Sequence, residues 1–206
     1  MAVVSASKPF ATEQKLYTVE EYFELEKNSD IRHEYYYGKL IPMAGESRIA
    51  NQIADNCGYT LRTNLRQKGY YIYRHDVRTY VREGKIYRYP DVVVTSKADK
   101  DNTHALLSPE LMIEVTSENS EKTDREVKLK EYLAMPSVLA YIIISQTEMC
   151  VEVYSRDEKG WRYALLTEMS DVLSVQLSQT VCTMAVQDIY DEIDFEEAAK
   201  PDTPYK

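Results

Sequence analysis

Asp91, Glu114 and Lys128 are the residues of this chain whose types and spacing could do chemistry. Asp91 opens the run Tyr89 to Thr95 (YPDVVVT), and Glu114 interrupts Leu111, Met112, Ile113 and Val115 within PELMIEVTS. A carboxylate among such neighbours is costly to bury unless something pairs with it, and Asp and Glu are poor strand residues. Downstream, Asp124, Lys128 and Tyr132 fall at i, i+4 and i+8, so they share one stripe of a helix. Two strand-end carboxylates followed by a lysine-bearing helix suit a divalent cation with a helper ammonium, which is the chemistry of phosphodiester hydrolysis. If the two strands are neighbours, their backbones lie about 4.8 Å apart and the acids can share one ion. Mg²⁺, or Mn²⁺, fits such an oxygen site; it would polarise a phosphate and acidify a bound water. Glu34 is a candidate third acid, Lys128 a group that positions water or phosphate, and Asp124 and Tyr132 supports behind them. Plainer roles stand beside these: a surface Asp124–Lys128 pair, an exposed hairpin Glu34, a core Tyr132, a strand-entry role for Asp91 after Pro90.

The elements that must position these residues are legible in outline. Thr18 and Glu21 have capping-box spacing for a first helix. RHEYYYGKLIPM reads as a hairpin about a Gly38-Lys39 step, with Glu34 on its first strand. Ser47 can cap a second helix ending near Gly69, with Ile49, Ile53, Cys57, Leu61 and Leu65 recurring every fourth residue. YYIYRHDVRTYV and KIYRYPDVVVT read as strands, Pro90 marking an entry or bend. Thr123 and Glu126 repeat the capping-box spacing for a helix to about Ala134, and VLAYIII reads as a central strand. A hairpin about Lys159-Gly160 and a short helix over Val186 to Ile193 complete the set. The order predicts an α/β fold: a mixed β-sheet flanked by helices, with additional β-hairpins. It predicts one domain over 17–193, a flexible arm over 1–16 and a loose acidic tail over 194–206.

Bulk properties narrow the classes. The 206 residues carry a net charge of -9, which argues against a nonspecific nucleic-acid coat. Yet Arg62 to Arg88 holds eight basic residues against two acidic ones. With Tyr71, Tyr73 and Tyr80, the cations Arg74, Arg78 and Arg82 could form a strip facing nucleic acid, or simply a solvated sheet face. Three scattered cysteines, Cys57, Cys150 and Cys182, form no CxxC pair and predict free thiols of a reducing cytoplasm. No apolar run approaches the roughly 20 residues of a membrane span, and no secretory signal opens the chain.

Four stretches resemble a known family: YTVEEYFEL (17–25), RHEYYYGKLIPMAG (32–45), YPDVVV (89–94) and PELMIEVTSENSEKTDREVKLKEYL (109–133). Their ordered set is similar to the PD-(D/E)xK, or restriction-endonuclease-like, nuclease superfamily, and within it to the Uma-two family. The resemblance implies a divalent-metal-dependent DNA endonuclease fold, with Glu34, Asp91 and Glu114 as metal-site acids and Lys128 as catalytic lysine. Two positions depart from the pattern. The superfamily lysine two residues after the glutamate is Thr116 here; the Uma-two pattern moves it onto the next helix, where Lys128 fits, with Lys122 and Lys130 less well placed. A histidine that members often carry near the start of the second helix is replaced by Ala50, beside Asn51 and Gln52. The expected partner is DNA, with a homodimer as one open arrangement. The competing function is a weak or inactive nuclease fold used as a nucleic-acid-binding or protein-interaction module. A glycosidase using paired carboxylates has no sugar-cleft signature to support it.

Overall fold

Local signals fix the two capped helices. The computed structural model describes residues 15–82, 84–97, 104–117 and 120–198. Most of the expected arm, up to residue 14, and the tail from 199 lie outside them. Glu21 N–H donates to Thr18 Oγ1 at 3.1 Å and Thr18 N–H to Glu21 Oε2 at 2.8 Å. This reciprocal cap starts α1, Val19–Asn28. A hairpin of β1 (His33–Tyr36) and β2 (Lys39–Pro42) follows. Its turn is Tyr37-Gly38, one residue earlier than the sequence suggested, with φ of 49° and 87°. Left-handed backbone at both central residues is the turn that matches strand twist. Ser47 Oγ accepts Ala50 N–H at 3.0 Å and starts α2, Arg48–Leu65. Ile53, Cys57, Leu61 and Leu65 are buried along it, as the fourfold spacing predicts.

The next strands are β3 (Tyr70–Arg74), β4 (Thr79–Arg82), β5 (Ile86–Arg88), β6 (Val92–Ser96) and β7 (Pro109–Thr116). Two runs that read as single strands are each divided between sheets. Tyr70 to Val81 breaks at His75, whose φ is 55°. β3 then pairs with β6, and β4 with β5. Ile86 to Ser96 breaks at Pro90, which has no N–H to continue a ladder. After β7 a π-helical segment, Thr123–Lys128, runs straight into α3, Leu129–Leu133. Thr123 does not cap it. Ser117 and Ser120 knit the preceding turn, each backbone N–H donating to the other's Oγ at 3.0 and 3.3 Å. Then come β8 (Ala140–Ser145), β9 (Val151–Asp157) and β10 (Gly160–Leu166). The chain continues through β11 (Val172–Gln176), β12 (Val181–Ala185), α4 (Val186–Ile189) and α5 (Phe195–Ala198). The β11–β12 hairpin was not legible as strands.

The large sheet has the order β10-β9-β8-β7-β6-β3. Only β7 and β8 are parallel, so it is mixed. A second sheet has the order β2-β1-β5-β4. The central strands bury both faces. Leu111, Ile113 and Val115 meet α2 and the β11–β12 hairpin, while Met112, Val93 and Ile143 meet Tyr132 and Met135. Each such side chain contributes about 1.5–3 kcal/mol by leaving water. β6 and β7 pair Val92 with Ile113. One step further the register sets Asp91 opposite Glu114, on the α3 side that Val93 and Met112 also face. No helix among the described residues is long and apolar enough to cross a membrane.

Candidate active site

The acids gather where the chain passes from one sheet to the other. Glu34 comes from β1, Asp91 from the entry to β6 and Glu114 from β7. Lys128 closes the π-helical turn above them. Its Nζ is 3.0 Å from Glu114 Oε1, 3.0 Å from Asp124 Oδ1 and 3.8 Å from Glu34 Oε1. Asp124, Lys128 and Tyr132 are all buried, so the predicted stripe faces the site. Tyr132 donates its hydroxyl to Glu114 Oε1 at 2.9 Å, and Tyr141 donates to the Asp124 carbonyl at 3.1 Å. Asp91 Oδ2 accepts the Val115 N–H at 2.6 Å, which ties it to the strand carrying Glu114.

Burial and charge pull these groups in opposite directions. Burial pushes the Asp91 carboxyl up to about 7; the Val115 N–H and Lys128 oppose that, and Glu46 adds to it. Burial also drives Glu114 well above the usual carboxylate range, against the pull of Lys128. Burial alone would lower Lys128, but Glu114, Glu34 and Asp124 outweigh it and hold the ammonium above its ordinary value. Arg88, nearly fully buried, donates to Glu34 at 2.5 Å and forms a fork to both oxygens of Glu131 at 2.8 and 2.9 Å. The neighbourhood therefore sets the five carboxylates of Glu34, Asp91, Glu114, Asp124 and Glu131 against two fixed cations, Lys128 and Arg88. Buried charges of one sign in excess take up protons or bind a cation. An all-oxygen set of this kind fits a hard divalent ion.

The nucleic-acid strip is corrected. Arg74, Arg78 and Arg82 do not share a face, because the chain changes sheets between β3 and β4. Arg74 pairs with Asp55 on α2. Arg82 donates to the Tyr37 hydroxyl at 2.8 Å. Arg78 lies over the rings of Tyr22 and Phe23 and donates to the Tyr22 and Tyr89 hydroxyls at 3.1 and 3.0 Å. Arg78 does line an open cleft of about 830 Å³ with Lys27, Arg32, Tyr71 and Tyr73.

Sequence reasoning missed Arg88, Glu46 and His75. A lone arginine in a short strand gives no signal of burial. Glu46 and His75 lie in connecting segments, and only the fold brings them to Asp91.

The mixed sheet with its flanking helices is the fold of a restriction-endonuclease-like nuclease. The chain is similar over 84% of its length to a solved structure described as "a putative nuclease belonging to DUF820" from Anabaena variabilis, with a TM-score of 0.64 and 17% identity, covering 97% of that chain. It belongs to the Uma2 family, described as "Putative restriction endonuclease", which matches residues 19–187. Two relatives from Synechocystis sp. are named uncharacterized proteins sll1609 and slr1290. The first is 32% identical over 75% of this chain and 88% of its own; the second is 28% identical over 90% and 96%.

Proposed function

We propose that this protein is a metal-dependent endonuclease that hydrolyses phosphodiester bonds in DNA, with Glu34, Asp91 and Glu114 holding Mg²⁺ or Mn²⁺. The observation that carries this reading is the excess of buried carboxylate about Lys128 at the junction of the two sheets. When bound, the cation would polarise the scissile phosphate and acidify a water.

The chain's own residues supply the rest. Tyr132 and the Val115 N–H fix the orientation of Glu114 and Asp91, and Arg88 fixes Glu34. Lys128 is held protonated by its acids, so it acts as a cation and hydrogen-bond donor toward phosphate or water and not as a general base. The cleft lined by Lys27, Arg32, Arg78, Tyr71 and Tyr73, with Glu26 and Asp76 beside Arg78 and Arg32, offers three cations against two acids for phosphates, and rings for bases.

Purified protein should nick or cleave plasmid DNA with Mg²⁺ or Mn²⁺ and stop when chelator is added. Asp91→Asn and Glu114→Gln should each abolish cleavage while circular dichroism stays native. DNA binding with no metal-dependent cleavage by the wild type would sink the enzyme and leave a binding module on a nuclease fold.

A further inference from the structure

Among the described residues, Glu46, His75 and Asp91 carry ligand atoms that all lie within 4.8 Å of one another. They come from three places. Glu46 immediately precedes the Ser47 cap of α2, His75 follows the last residue of β3, and Asp91 precedes β6. The sheet register explains the meeting. β3 and β6 pair Arg74 with Val92, so one step further His75 stands opposite Asp91. The same step across β6 and β7 sets Asp91 opposite Glu114. Imidazole, carboxylate and carboxylate thus form a row across three adjacent strand ends, with Asp91 in the middle.

His75 is held in this place at a cost. It has a left-handed backbone, φ 55°, which residues other than glycine seldom adopt. Its N–H donates to the Asp91 carbonyl at 2.9 Å, so the strained turn is fastened to the residue it faces. Strain maintained in this way clusters at functional sites. The ring is oriented from both sides. Nδ1 lies 3.2 Å from Glu46 Oε1, and Nε2 lies 3.4 Å from the Asn51 side-chain amide. Rotating that amide by half a turn would let Nε2–H donate to the Asn51 oxygen, because the two ends of an amide are interchangeable in shape. Nδ1 would then carry its lone pair toward the carboxylates. A hydrogen-bonded second ring nitrogen is how proteins fix a metal-binding imidazole.

We propose that Glu46, His75 and Asp91 form a second cation position that takes a transition-row divalent ion, Mn²⁺ to Zn²⁺, in preference to Mg²⁺. Nitrogen ligation sets the preference: imidazole suits the later ions of the row best and Mn²⁺ least, but even Mn²⁺ accepts it more readily than Mg²⁺, which takes oxygen ligands and parts reluctantly with water. Three protein ligands leave positions open for water or phosphate oxygen. That Asp91 joins this position to a Glu34–Asp91–Glu114 position rests on the function proposed above; the imidazole site itself does not.

Mn²⁺ is the probe. Full-length protein is titrated with Mn²⁺, and the bound ion is examined by electron spin-echo modulation for a coordinated imidazole nitrogen. The chain has three histidines, so variants must name the one responsible. Wild type should show the imidazole signal. His75→Asn, whose side chain tolerates left-handed backbone, should lose it and bind at least one Mn²⁺ tenfold or more weakly, with Mg²⁺ affinity changed less than twofold. Glu46→Gln should weaken Mn²⁺ severalfold and keep the signal. No imidazole signal in wild type, or a signal that survives His75→Asn, overturns the proposal. If His75→Asn fails to fold, unchanged Mn²⁺ affinity in Glu46→Gln overturns it. Imidazole-ligated Mn²⁺ in a protein that cuts no DNA would leave this site standing and sink the nuclease. Mg²⁺-dependent cleavage without imidazole-ligated Mn²⁺ would do the reverse.

Discussion

Lys128 is defined by its neighbours more fully than any other residue of the site. It faces Glu114, Asp124 and Glu34 and is nearly buried. Lys128→Met should therefore do two things. Turnover should fall about 10²–10³-fold, the usual worth of one positioned donor to developing charge, while Mg²⁺ affinity, read by calorimetry, drops far less than in Asp91→Asn. The melting temperature of the metal-free protein should fall too, because Glu114 and Asp124 lose their counter-charge. Asp91 carries a pH dependence whose sign is definite. Its carboxyl sits at about 7 in the folded protein against 3.8 ordinarily. Between those values the native state keeps a proton that the unfolded chain has released, so Asp91 erodes stability as pH rises from about 4 to about 7. In thermal melts without metal, Asp91→Asn should gain on wild type across that window; parallel curves would show that Asp91 is not so perturbed.

At the scale of elements, the β1–β2 hairpin holds Glu34, and its turn depends on left-handed backbone at Gly38. A Cβ there would also come 3.2 Å from the Leu16 side chain. Gly38→Ala should cost about 1–2 kcal/mol and lower the melting temperature by a few degrees. Much of this level was readable in the sequence. The Thr18 and Ser47 caps, the α2 stripe and the buried 138–144 run are local patterns, and local patterns survive folding. Asp91 and Glu114 stood out because charge in an apolar run needs a reason, Lys128 because of its place on a helix stripe, and Glu34 through the family resemblance; the fold brings the four into one neighbourhood. What escaped depends on the third dimension. Nothing in YYIYRHDVRTYV announces that His75 turns the chain out of one sheet, so the supposed arginine strip was really three separate contacts. The π-helical winding of Thr123–Lys128 likewise has no signal in the sequence; in the fold Lys128 meets Glu114 of β7 and the Asp124 carbonyl accepts from Tyr141 of β8.

For the molecule as a whole, an ion bound only by the native state adds stability in proportion to its binding. Mg²⁺ at a hundred times its dissociation constant should add about 2.7 kcal/mol, raising the melting temperature by about 5–10 °C. Asp91→Asn should abolish the rise. We expect a single cooperative transition over residues 17–193; two separated calorimetric peaks would contradict one domain. With a net charge of -9, the DNA binding proposed above would have to draw on the local cleft. Affinity should fall with added salt, and Arg32→Ala should lessen that slope by about one phosphate contact. The three-residue joint Tyr89-Pro90-Asp91 gives the assembly a mechanical character. Glu34 and Arg88 ride on one sheet, Asp91 and Glu114 on the other, so an ion held by the three acids as proposed would sit between the sheets as between the jaws of a calliper. Such a seat would gauge ionic radius. Ca²⁺, whose oxygens stand about 0.3–0.5 Å farther out than those of Mg²⁺, should seat and yet hold the jaws open, occupying the gap as a spacer that lets DNA dock but never be cut.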